Sequence, residues 1–172
     1  LAVWQALMDA GVEYGITPIG SETSGVLRIE KGYISAGAEG DGITNPFDAG
    51  IGWVVNMEKP DFIGKRSLVR DSSVAGVRQH VVGLLPQDEQ FVMVEGSAIV
   101  EPSTDSRVPK FLGHVTASCF SPNLDRSISL ALLKNGRARH GDTVTVSGLD
   151  RTIEALVVPP VFIDAKGERM RS

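Results

Sequence analysis

The chain holds a single cysteine, Cys119, among its 172 residues. One thiol excludes an intramolecular disulfide and a cysteine-rich zinc site, and it suits a reducing compartment, so a cytoplasmic location is expected. Basic charge is also scarce. The formal net charge is −4, which argues against general nucleic-acid binding, because neutralising phosphates needs a basic surface. No apolar run is long enough to span a bilayer and the start has no signal-peptide pattern, so no membrane partner is expected. The patterns GxSxG, GxGxxG and HExxH are missing, which removes the commonest nucleophile, dinucleotide and zinc-protease signatures. The three histidines, His80, His114 and His140, lie in separate segments without ligand spacing, and no metal is expected. Cys119 follows an expected strand with no thioredoxin-type or nucleophile-elbow setting, and reads as small buried or half-buried filler.

What is present is ordinary in amount and uneven in arrangement. Apolar residues make up 42% and charged residues 22%, as in a globular protein. The length fits one large domain or a domain plus part of another. Leu1 already lies inside an expected helix, so the chain reads as a fragment of something longer. Over residues 2–14, Val3, Trp4, Leu7 and Met8 share one side at helical spacing, with Gly11 and Gly15 as stop signals. Ser21 is the expected N-cap of a second helix running to about Lys31, with Glu22 in its first turn. Arg28 and Glu30 stand two positions apart and so point in different directions. One of them is expected to face inward or towards a ligand; the alternative is a solvated surface pair.

A polar crossing of about twenty residues follows, longer than most connections in compact domains. Crossings of that kind are more often binding loops than filler. Within it AGAEGDG (36–42) lacks the features of a phosphate or calcium loop and reads as mobile. Asn45-Pro46-Phe47-Asp48 reads as a turn with proline second. Trp53 sits at the start of an expected apolar strand, either as core filler or as a flat platform for an aromatic ligand. Asp61 is the expected N-cap of a third helix carrying Phe62, Ile63, Leu68 and Val69 towards Asp71. Beyond a polar hinge at 71–77, with Ser72, Ser73 and Gly76, the pattern changes. Strands are expected over 79–85, 97–100, 112–118, 127–133, 143–146 and 152–158, with turn clusters at 102–105, 121–123 and 148–150. In SISLAL (127–132) polar and apolar residues alternate, as in a strand with one face inward. Six short strands with no helices between them predict a small antiparallel barrel or sandwich. Arg137, Arg139 and His140 read as a solvated turn, with a partner contact as the alternative.

LRIEKGY (27–33), NPFDAGIGW (45–53), KPDFIGKRSL (59–68) and LGHVTASCFSPNLDRSISLALL (112–133) occur in an order and spacing that resemble the C-terminal half of the glycine-cleavage T-protein (aminomethyltransferase) superfamily. The resemblance runs from Leu7 to about Phe162. GSETSGVLRIEKGY (20–33) and PPVFIDAKGERM (159–170) are most similar to the branch formed by the alpha subunit of heterotetrameric sarcosine oxidase, with dimethylglycine and sarcosine dehydrogenases next. The resemblance implies an α+β fold: a partial ferredoxin-like unit, two helices and a crossing, followed by a small antiparallel six-stranded β-barrel. Residues 1–71 would be the C-terminal part of the folate-binding domain and residues 77–172 the barrel domain.

It also implies a function. An amine is oxidised at a flavin elsewhere in the complex, and the carbon of the resulting imine passes to tetrahydrofolate, giving 5,10-methylenetetrahydrofolate. Flavin and NAD would bind elsewhere in the parent complex, and the partners would be folate, the imine and other sarcosine oxidase subunits. The catalytic aspartate and the pterin-binding glutamate of the family are expected upstream of Leu1. Arg28, Glu30, Tyr33 and Trp53 are the expected folate-contacting residues. One departure is Ser24, where glycine-cleavage enzymes carry a folate-binding arginine four residues before Arg28. It counts against a stand-alone aminomethyltransferase that works with a lipoyl-carrying protein. A relative that maintains iron–sulfur clusters would have cysteine after Lys31-Gly32, where this chain has Tyr33. A non-catalytic assembly barrel is the remaining alternative.

Overall fold

The computed structural model describes residues 1–70, 78–101, 109–148, 151–169 and 171. The hinge at 71–77, the turn at 102–105 and most of the turn at 148–150 lie outside the described residues. The N-terminal segment holds helix α1 (Ala2–Gly11), a 3-10 turn (Val12–Tyr14), helix α2 (Ser21–Glu30), the crossing, and a short helix α3 (Lys65–Leu68). Six strands follow: β1 (Gln79–Pro86), β2 (Ala98–Val100), β3 (Phe111–Ser121), β4 (Arg126–Lys134), β5 (Thr143–Ser147) and β6 (Thr152–Val158). They close an antiparallel barrel in the order β1-β4-β3-β2-β5-β6, with β6 returning to β1. The fold class is α+β, as the alternation pattern and turn residues predict.

The barrel interior is filled by Val82 and Leu84 of β1, Ile99 of β2, Leu112 and Val115 of β3, Ala131 and Leu133 of β4, Val144 and Val146 of β5, and Val157 of β6. Two bulges adjust β3. Pairing passes from Ile99 with Gly113 to Val100 with Phe111, leaving Leu112 over. It also passes from Val115 with Ala131 to Ala117 with Leu130, leaving Thr116 over. An extra residue bends its strand and re-aims its own side chain. Gly113 has no tolerance for a side chain here, since a Cβ would stand 1.9 Å from the Leu132 carbonyl oxygen.

Several local expectations are corrected. Strand β4 is buried on both faces, not one. Ala131 and Leu133 point into the barrel, while Ile128 and Leu130 pack outward against Ile29 of α2, and Leu132 against Ala49 and Ile51 of the crossing. The row of large apolar residues is thus the outer row, covered by the N-terminal segment. Burying Ile29 there contributes about 2 kcal/mol. Ser21 is the first residue of α2, and Gly20 occupies the N-cap without a side-chain bond. The third helix is four residues long behind Gly64, and Asp61 accepts only from the neighbouring Phe62 N–H. Trp53 lies in a 3-10 turn, Gly52–Val54, and not in a strand. Cys119 lies within β3 and not after it.

Candidate functional site

The site grows from the end of α2. Gly32 N–H donates to the Ile29 carbonyl at 3.0 Å and Tyr33 N–H to the Arg28 carbonyl at 2.8 Å. This paired closure ends a helix on a left-handed residue. Gly32 has φ of +67° and a Cβ would stand 2.4 Å from the Pro160 carbonyl oxygen, so both conformation and space require glycine. The stop throws Tyr33 off the helix while Arg28 and Glu30 remain on its last turn.

Arg28 and Glu30 point apart, as their spacing predicts. Glu30 is 3% exposed. One carboxylate oxygen accepts Ser121 Oγ–H at 2.5 Å, and the Asn123 amide donates to both oxygens at 3.1 and 2.9 Å. Its backbone carbonyl accepts the N–H groups of Phe162 and Ile163, each at 3.0 Å. Glu30 therefore ties α2 to the β3–β4 turn and to the tail after β6. Each bond to an ionised group is worth roughly 1.5–3 kcal/mol.

Arg28 reaches the other way. Its Nη1 donates to the Tyr33 carbonyl at 3.0 Å and to Glu39 Oε2 at 3.1 Å. Glu39 is wholly buried at 0% exposure. Its Oε2 also accepts Ser35 N–H at 2.9 Å, and its Oε1 accepts Thr116 Oγ–H at 2.7 Å. Thr116 is the bulged residue of β3. The AGAEGDG loop is thus fastened to the barrel, where the sequence predicts a mobile segment. Glu39 is the residue that sequence reasoning missed. The signal available was an acidic side chain among glycines and alanines, and such runs are usually solvated.

A cleft of about 500 Å³ opens beside these groups, lined by Arg28, Glu30 and Tyr33 together with Ser24 and Leu27 of α2 and Lys31 at its C-cap, and by Asn123, Ile163, Asp164 and Arg169. Lys31 Nζ donates to the Asp164 backbone carbonyl and lies 3.2 Å from Asp164 Oδ2. Burial opposes ionisation of Asp164, but bonds from the Glu168 N–H, the Lys31 ammonium and the Arg169 N–H outweigh it and hold the carboxyl below its usual range. Three of the four expected contact residues therefore share one cleft. Trp53 is outside it and 84% exposed, so it is no filler of the core formed by the described residues.

The rest of the crossing is braced independently. Asn45 N–H donates to Asp48 Oδ2 and Asp48 N–H to Asn45 Oδ1, both at 2.9 Å. Arg78 Nε reaches both Asp48 oxygens at 2.8 Å. Arg137 Nη2 donates to the Phe47 carbonyl, so this arginine holds the crossing against the barrel rather than standing in a solvated turn. Burial, with Glu30 nearby and Arg28 opposing, pushes the Cys119 thiol up to about 11. It is a protonated filler, not a nucleophile. Among the described residues no cluster of histidine, cysteine or carboxylate side chains could hold a metal, and no helix is long and apolar enough to cross a membrane.

Residues 1–59 match the GCVT N-terminal domain, and residues 79–164 match the glycine cleavage T-protein C-terminal barrel domain. Sarcosine oxidase subunit alpha of Corynebacterium sp. (strain P-1) is 42% identical over 172 residues, covering 98% of this chain and 18% of that protein. The aminomethyltransferase of Halothermothrix orenii is 33% identical over 167 residues, covering 94% of this chain and 43% of that protein. The crystal structure of glycine cleavage system aminomethyltransferase T from Bartonella henselae shares the fold with a TM-score of 0.66 at 25% identity, over 81% of this chain and 37% of that one. The chain spans less than a fifth of the length of the sarcosine oxidase subunit it matches. Two family matches in the right order, with the closed barrel they require, lead to one assignment: the chain belongs to the glycine cleavage T-protein family.

Proposed function

We propose that this chain is the tetrahydrofolate-binding part of a sarcosine oxidase alpha subunit, which demethylates sarcosine oxidatively and passes the one-carbon unit to tetrahydrofolate as 5,10-methylenetetrahydrofolate. The observation that carries this reading is the cleft at the end of α2, where Arg28, Glu30 and Tyr33 meet. Its volume of about 500 Å³ falls within the roughly 300–1,000 Å³ of small-molecule sites. Its wall combines apolar Leu27, Tyr33 and Ile163 with the cationic Arg28 and Lys31. That mixture fits a ligand with a flat, weakly polar body and an anionic end. The 42% identity to a sarcosine oxidase alpha subunit, in an alignment covering 98% of the chain, supports the choice of amine.

When bound, tetrahydrofolate supplies the nitrogen that takes up the carbon of an amine-derived imine. The residues of this chain bind and orient it. Arg28 offers a cation held in place by Glu39, Tyr33 an aromatic edge, and the α2–barrel junction a wall on one side. Fixing one partner of a bimolecular step in place, and keeping water from a hydrolysable imine, is where such a module lowers the barrier. No residue of the cleft is assigned the proton-transfer step. Residues 1–71 would complete the folate-binding domain and residues 77–172 the barrel that supports it. Flavin, NAD and further subunits belong to the rest of the parent complex.

The test uses the full-length parent protein with its partner subunits, supplied with sarcosine and tetrahydrofolate. Formation of 5,10-methylenetetrahydrofolate is the expected result. Oxidation of sarcosine by a complex that retains no folate overturns the reading. The likeness to aminomethyltransferases favours a second reading, glycine cleavage, which predicts product only with a lipoyl-carrying protein. Ser24, on the cleft wall, counts against it.

A further inference from the structure

Arg28 enters the cleft with one nitrogen committed. Nη1 makes both of its bonds, to the Tyr33 carbonyl and to Glu39, and Nε and Nη2 donate to no group among the described residues. The side chain is a quarter exposed while Glu39 is wholly buried, so the guanidinium is gripped from the barrel side and open on the other. The grip is rigid. Glu39 is held by Thr116 Oγ at 2.7 Å and Ser35 N at 2.9 Å, and Thr116 is placed by the β3 bulge. A planar guanidinium with two adjacent donors matches the two oxygens of a carboxylate.

We infer that Arg28, positioned by the Glu39–Thr116 clamp, binds a carboxylate at the glutamyl end of the folate. The inference rests on the folate reading above and names the part of the ligand that meets this cleft. The carboxylates are the only anionic groups of that ligand. The cleft carries Arg28, Lys31 and Arg169 beside Glu30 and Asp164, and with Glu39 behind Arg28 these charges balance, so the open fork of Arg28 and not a net field selects the anion. Tyr33 is 53% exposed, so the cleft is wet at this edge. Water there suits a charged tail and does not suit the pterin nitrogen, where an imine must be protected from hydrolysis. Arg28 is a binding residue here. Glu39 and Thr116 are positioning residues that act through it.

The test compares tetrahydrofolate with tetrahydropteroate, which lacks the glutamate, on the full-length protein with its partner subunits. The readout is the ratio of the two dissociation constants, which cancels general effects on folding. The unmodified protein is expected to favour tetrahydrofolate by roughly 10- to 100-fold, the weight of a charge-assisted pair. Arg28→Met brings the ratio close to one. Glu39→Gln, which keeps the shape and removes the charge holding Nη1, lowers it several-fold, and Thr116→Val lowers it in the same direction. A ratio as high in Arg28→Met as in the unmodified protein overturns the inference, and so does equal weakening of both ligands. Failure of the unmodified protein to bind either ligand overturns the folate reading itself, and is a distinct result.

Discussion

Two glutamates are buried at one junction, each by a different means. Glu30 faces neutral donors, Ser121 and Asn123, whereas Glu39 meets a guanidinium and a threonine hydroxyl. Burial without such partners would cost several kcal/mol, so the donors on β3 and its turn are what allow the acidic residues to stand there. Cys119 lies beside the same junction, and its thiol, pushed up to about 11, is the residue-scale probe of it. At pH 8 about one thiol in a thousand is ionised, so alkylation by iodoacetamide is slow. Its rate climbs about tenfold per pH unit until about pH 11 and jumps when the protein is unfolded in urea. A reactivity plateau near pH 8 would contradict the burial seen here. Trp53 offers the opposite case, a large side chain with little to hold it. Trp53→Ala is expected to change stability by less than about 0.5 kcal/mol and, because Trp53 lies outside the cleft, to leave folate retention by the full-length protein unchanged. A clearly weaker folate dissociation constant would extend the proposed site beyond the cleft to Trp53.

At the scale of elements, the stop of α2 decides the geometry. The left-handed residue at Gly32 lets the chain leave the helix against Pro160, and the tail after β6 returns two backbone bonds to Glu30. Gly32→Ala puts a Cβ into both a positive-φ residue and a carbonyl oxygen. We expect a loss of at least about 2 kcal/mol, read as a lower urea midpoint with an unchanged slope. A midpoint equal to that of the unmodified protein would mean that α2 can end elsewhere. Strand β4 teaches a related lesson. Its alternation is real, but the larger residues face outward because α2 and the crossing supply a second core on that side. A strand buried on both faces cannot be told from its sequence to be inside-out.

For the whole molecule, protection is uneven. The barrel strands β1, β3 and β4 contain fully buried rows, while α1 has no buried residue and exposes Trp4 and Leu7. An isolated ten-residue helix is marginal in water. Amide hydrogen exchange of this chain is therefore expected to be fast throughout Ala2–Gly11 and slowest at Val115, Leu130 and Leu132, by several orders of magnitude. Comparable protection in α1 would show that it packs against something in solution.

Sequence alone determined the barrel and most of α2. Period-two alternation and turn clusters mark each strand to within a few residues, because strand geometry is written locally in which side chains alternate and where glycine, proline or aspartate break the run. LRIEKGY was legible as a helix end for the same reason, and the spacing of Arg28 and Glu30 already said that they part company. Tertiary structure decided the rest. That Glu39 is buried depends on a bulge at Thr116, 77 residues further on, and no window around a glycine-rich loop contains that fact. Trp53 lies outside the cleft, in a 3-10 segment at Gly52–Val54, although glycines beside a Trp read equally well as a strand start. Side-chain chemistry is carried by the sequence, but which groups become neighbours is set by closure of the sheet, and the cleft exists only where those long-range contacts meet.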